Sequence, residues 1–103
     1  MEQLERIKTM EQHLDRASQA VMQMSAALDD YVGAQTAIHE LSSYYDSDDW
    51  KQDFADEEAG RLPKDLKRGV LSEDGIWNLL ADNQELRERL LEVTRNKAPQ
   101  AHA

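Results

Sequence analysis

The densest chemistry in the chain is one acidic run, Asp46-Ser47-Asp48-Asp49-Trp50, with further carboxylates at Asp53, Asp56, Glu57 and Glu58. Asp46, Asp48 and Glu57 fall at positions 1, 3 and 12 of a calcium-binding EF-hand loop. Trp50 then occupies position 5, which needs an oxygen ligand, and Lys51 occupies position 6, where the sharp turn needs glycine. An ammonium in the middle of a cation site opposes binding, so the run reads as the charged start of a helix. The histidines fare no better. A carboxylate-bridged metal pair needs Glu-x-x-His, but Met10 precedes His13 by three and Thr36 precedes His39 by three. No two histidines stand four apart on a helix, as a zinc pair would.

Nucleophilic catalysis is equally unsupported. No serine lies between the glycines of a nucleophile elbow, and Ser47 and Ser72 suit helix caps. Gly60, Gly69 and Gly75 are isolated, so no glycine-rich loop cradles a phosphate. The chain has no cysteine, which excludes thiolate catalysis, disulfides and zinc-thiolate sites. No catalytic residue, metal ligand or cofactor is therefore implied.

What remains are surfaces. Tyr44, Tyr45, Trp50 and Phe54 lie close together in sequence, and Trp and Tyr are the types enriched at binding hot spots. As structure, the same four would seal a helix junction. A basic turn follows, with Arg61, Lys64, Lys67 and Arg68 after an acidic stretch that holds seven acids in residues 46–60. Lys64, Lys67 and Arg68 are expected to be exposed, with Leu62, Leu66, Val70 and Leu71 pointing inward. Two solvated faces, or a docking patch for a charged partner, would each use that layout.

The elements that position these residues are helical. The 103-residue chain has 12 Lys+Arg against 21 Asp+Glu, a net charge of -9, and only 4 Gly and 2 Pro. That acidity argues against direct nucleic-acid binding, which needs clustered cations. No apolar run approaches the length of a membrane span. The opening Met1-Glu2-Gln3-Leu4-Glu5-Arg6 lacks the form of a signal peptide. A cytoplasmic protein is expected.

Residues 2–45 lack proline and are rich in helix formers. Ile7, Leu14, Val21, Leu28, Gln35 and Ser42 recur every seven residues, and Met10, Ala17, Met24, Tyr31, Ile38 and Tyr45 recur three positions further on, ten of the twelve apolar or aromatic. This heptad seam predicts one long helix bent at Gly33, flanked by the small Ala20, Ala27 and Ala34. Ser47 or Asp46 caps a second helix that Gly60 closes, Pro63 opens a short helix over residues 64–68, and Ser72 caps the last one. Ile76, Leu79, Asn83, Leu86, Leu90 and Val93 form its stripe, apolar except at Asn83 and widened by Trp77, Leu80 and Leu91. The expected fold is all-α: a long N-terminal helix, short connecting helices, and a C-terminal helix packed antiparallel on the first as a helical hairpin or bundle. Residues 1–97 would form one domain and 98–103 a flexible tail.

The opening Met1-Glu2-Gln3-Leu4-Glu5-Arg6-Ile7, the pair Tyr44-Tyr45, and Leu62-Pro63-Lys64-Asp65-Leu66-Lys67-Arg68-Gly69-Val70-Leu71-Ser72-Glu73-Asp74 carry a resemblance. Together they resemble a small bacterial family, the domain of unknown function numbered forty-two ninety-eight. The resemblance implies a short, helix-rich cytoplasmic protein and brings no catalytic residue with it.

Three functions are compatible with these features. The first is a non-enzymatic protein–protein interaction module, an adaptor or small regulator. The second is an acidic decoy for a basic, nucleic-acid-binding partner, and the third is a small enzyme or ligand binder. A length mismatch adds self-association to the first. The last helix can cover only part of the long seam, leaving Leu4, Ile7, Met10 and Leu14 for a second copy in a homodimer.

Overall fold

A computed structural model describes residues 2–95; Met1 and the expected tail 98–103 lie outside the described residues. The architecture is all-α, with no strand among the described residues. The long helix α1 spans Glu2–Gly33, α2 Gln35–Tyr45, α3 Asp48–Glu58 and α4 Gly75–Arg95, with a single 3-10 turn at Gly69–Leu71 before α4. Contacts divide the chain into two units, one ending at Ala37 and the other beginning at Ile38.

The first unit is essentially α1. The expected bend at Gly33 is where α1 ends: glycine is about 1 kcal/mol less favourable than alanine inside a helix. The Tyr31 carbonyl there accepts from the Ala34 amide at 3.1 Å and from the Gln35 side-chain amide at 3.0 Å. Side-chain capping thus takes over where the backbone ladder is interrupted. No residue of α1 is buried.

The second unit is tied together at its corners. Ser47 closes α2 and opens α3 at once: its hydroxyl donates to the Tyr44 carbonyl at 2.5 Å and accepts the Trp50 amide at 3.2 Å. Asp48 and Asp49 follow in the first turn, where carboxylates suit the helix macrodipole. α3 stops in a Schellman motif, with Gly60 N–H on Glu57 O at 3.0 Å and Arg61 N–H on Asp56 O at 2.9 Å. Gly60 takes φ +71, a left-handed geometry that glycine adopts without strain.

The short helix expected over residues 64–68 is absent, and the chain makes a turn there instead. Arg68 holds the turn instead: its guanidinium donates to the Pro63 and Leu66 carbonyls and pairs with Glu57 of α3, a tertiary pairing that overrides local helix propensity. Leu62 is half-buried, but Leu66 and Val70, expected inside, are 47% and 40% exposed.

The chain then winds into the 3-10 turn, which packs against both α3 and α4. Leu71 and Ile76, at the two sides of the Ser72 corner, are the buried apolar residues, 6% and 3% exposed. Ser72 acts slightly earlier than a cap at the first helical residue would. Its hydroxyl donates to Gly69 O at 2.8 Å and accepts the Gly75 amide at 3.0 Å, while the first helical bond of α4 runs from Asn78 N–H to Asp74 O at 2.8 Å. A Cβ on Gly75 would collide with the Gly69 carbonyl oxygen and stand 2.5 Å from Ser72 Oγ. Glycine at 75 therefore lets α4 begin this close to the turn.

Candidate interaction surfaces

The aromatic neighbourhood is assembled by the Ser47 corner. Folding α3 back from the end of α2 brings Tyr45 against Trp50 edge-on, with ring centroids 4.9 Å apart. One helical turn later Phe54 stacks on Trp50 at 5.1 Å. The indole Nε1–H of Trp50 donates to the Val70 carbonyl at 2.9 Å, fastening α3 to the 3-10 turn. Tyr44 donates its hydroxyl to Asp53 Oδ2 at 2.6 Å. Partial removal from water, the bond to Asp53 and the charges of Asp53 and Asp49 together push the Tyr44 phenol up to about 12. All four rings are half-buried and engaged with one another or with polar partners. They form a seam between elements, and what they offer a partner is an edge.

The basic turn divides in two. Arg61 pairs with Asp56 at 2.9 Å, and this bond, helped by the Gln52 amide, holds the Asp56 carboxyl below its usual range. Arg68, expected to be exposed, is half-buried in its pair with Glu57. Both arginines thus serve the fold by closing the 61–68 turn onto α3. Lys64 and Lys67 remain exposed and take part in none of the ion pairs among the described residues.

The other predicted set lies on α1. Leu4, Ile7, Met10 and Leu14 recur on one helical face and are 62%, 49%, 55% and 58% exposed. The same stripe runs on through Val21, Met24 and Leu28, all exposed. Seven large apolar side chains on one face of one helix make a surface of the kind that marks interfaces.

Sequence reasoning missed one feature of the second unit. Leu41, Gly69, Val70, Gly75, Leu79 and Lys67 line an open depression of about 440 Å³. Its lining is mostly aliphatic, with two glycines and one cationic side chain, Lys67. By sequence, Gly69 and Gly75 read only as isolated glycines; here both line the depression. Trp77, on the apolar stripe of α4, is exposed and joins neither ring pair.

Among the described residues no group of His, Asp and Glu converges as a metal site, and no helix is long and apolar enough to cross a membrane. Neither the curated proteins nor the solved structures contain a match to this chain. The family comparison does find one. The model of a domain of unknown function, DUF4298, matches residues 7–93, from the first seam residue of α1 to the last apolar residue of α4, and the chain belongs to that family.

Proposed function

We propose that this protein is a cytoplasmic protein–protein interaction module, an adaptor or small regulator, that works as a homodimer through the apolar face of α1. One observation carries the reading: a helix of 32 residues presents Leu4, Ile7, Met10 and Leu14 in register on its surface and buries none of its side chains. Helices in water draw most of their stability from packing an amphipathic face, so such a helix gains from a partner. A two-fold pairing is the simplest closed way to cover the same stripe on two chains.

The second unit then supplies the surface for other partners. It offers exposed Trp77, an aliphatic depression lined in part by Lys67, and the solvated ammonium group of Lys64. The acidic-decoy reading has less support, because Asp56 and Glu57 are already paired within the chain. Light scattering at low micromolar concentration and moderate salt tests the dimer. Twice the chain mass of 11.8 kDa, reduced to the single mass by Ile7→Glu with Leu14→Glu, supports it; the single mass in the unaltered protein overturns it.

A further inference from the structure

The dimer just proposed leaves open how two copies of α1 face each other, and the charges beside the seam decide it. With Ile7, Leu14, Val21 and Leu28 at the first core position of each heptad, Met10, Ala17, Met24 and Tyr31 occupy the second. The flanking positions on one side are then Arg6, His13, Ala20 and Ala27, and on the other Leu4, Glu11, Ser18, Ser25 and Val32. Few of these carry charge, so a small number of contacts sets the preference.

In a parallel, in-register pair, a residue on the first flank meets the residue five positions later on the other chain's opposite flank. Arg6 then meets Glu11 of the second copy, and two-fold symmetry makes the pairing twice. The remaining flank pairs bring His13 to Ser18, Ala20 to Ser25 and Ala27 to Val32, with no like charges opposed. In an antiparallel pair with the seams fully overlapped, each flank meets its own kind. Arg6 then falls beside Ala34 and Glu11 beside Ser25, so both ion pairs vanish. Arg6 and Glu11 are exposed on α1 and engaged in none of the ion pairs among the described residues. The small Ala20 and Ala27 on the flank, with Ala17 in the seam, permit a close approach over the second half of the helix.

We propose that α1 pairs with α1 of a second copy in parallel and in register, with reciprocal Arg6–Glu11 ion pairs selecting that orientation. The inference rests on the homodimer reading, and the experiment separates the two. Because the chain has no cysteine, Gln3→Cys puts a single thiol at a seam position in the first turn of α1. In the parallel pair the two thiols are neighbours; in the overlapped antiparallel pair they stand about 48 Å apart, from 1.5 Å of rise per residue.

The variant is equilibrated in a glutathione redox buffer, and its mass is measured both with and without reductant. A dimer under reducing conditions that becomes disulfide-linked in the buffer supports the proposal. A reduced dimer that fails to link overturns the parallel register and leaves the homodimer standing, whereas a monomer overturns both. A charge exchange adds an independent readout. Arg6→Glu and Glu11→Arg are each expected to weaken the dimer about tenfold, from the usual size of exposed ion pairs turned repulsive. An equimolar mixture of the two variants restores attraction on both sides and regains the affinity of the unaltered chain. Equal affinity of both variants and the parent overturns the ion-pair selection.

Discussion

α1 and the unit from Ile38 to Arg95 are both helical and both acidic, but they are stabilised by different means. α1 has 32 residues and buries none of them. Its order within one chain comes from local propensity and the i to i+4 ladder, which is marginal support for any helix in water. The second unit buries few residues too, with only Leu71 and Ile76 below a tenth exposed. It gains instead from side chains that join one element to the next: Ser47 between α2 and α3, Trp50 to Val70, Arg68 to Glu57, Ser72 between the 3-10 turn and α4. The comparison teaches that a chain poor in large aliphatic residues can still specify its elements, provided that polar closures sit at every corner. Where such closures are missing, as along α1, local propensity and the helical ladder are what hold the element.

The largest effect that would break or sharpen this contrast is at the small core. Ile76→Ala is expected to destabilise the second unit by about 2–4 kcal/mol, as for a buried isoleucine, measured by denaturation with tryptophan fluorescence. Leu14→Ala in dilute protein is expected to change stability by less than about 0.5 kcal/mol. Comparable losses would show that α1 is packed as firmly as the Ile76 region.

Gly75→Ala comes next. Its new methyl group meets the Gly69 carbonyl, and a loss of about 1–3 kcal/mol is expected from the forced backbone shift. Thermal melts read this directly, and an unchanged melting temperature would mean that α4 can start further from the turn at no cost.

Tyr44→Phe removes one hydrogen bond, for about 0.5–1.5 kcal/mol. Here pH gives the sharper signature. The phenol rises from 10.0 to about 12 on folding, so its contribution is fully present below pH 10 and is lost as pH climbs through about 12. The stability difference between parent and Phe variant is therefore expected to shrink over that window, in paired denaturation curves. A difference independent of pH would remove the Asp53 bond from the account. The smallest effect belongs to Lys64→Glu with Lys67→Glu, expected within about 0.5 kcal/mol because both ammonium groups are solvated. A larger drop in the melting temperature would make those charges structural.

Much of the helical layout was legible from sequence because its signals are local. The α1 heptads, the break at Gly33, the Ser47 cap and the Gly60 stop each depend on residues within one or two turns, and each stands where expected. The segment 61–71 was misread for the opposite reason. Pro63 and a run of good helix formers favoured a short helix, but the Arg68 side chain reaches Glu57, eleven residues away, and holds the segment as a turn. A tertiary ion pair of that span leaves no periodic trace. The aromatic cluster was legible as a neighbourhood, though not as a stack, since its geometry follows from the angle at Ser47. The depression beside Lys67 escaped because it is made of elements brought together by two corners.

The Ser47 hydroxyl has a consequence for how the second unit opens. Since it donates to Tyr44 at the end of α2 and accepts from Trp50 at the start of α3, neither helix end can fray by itself without freeing a partner in the other. The two termini are therefore coupled, and the bonded Trp50 amide is expected to exchange with solvent deuterium together with the amides of the last turn of α2, read by hydrogen exchange. Replacing the hydroxyl, as in Ser47→Ala, divides that single event into two and lets each helix end exchange on its own clock.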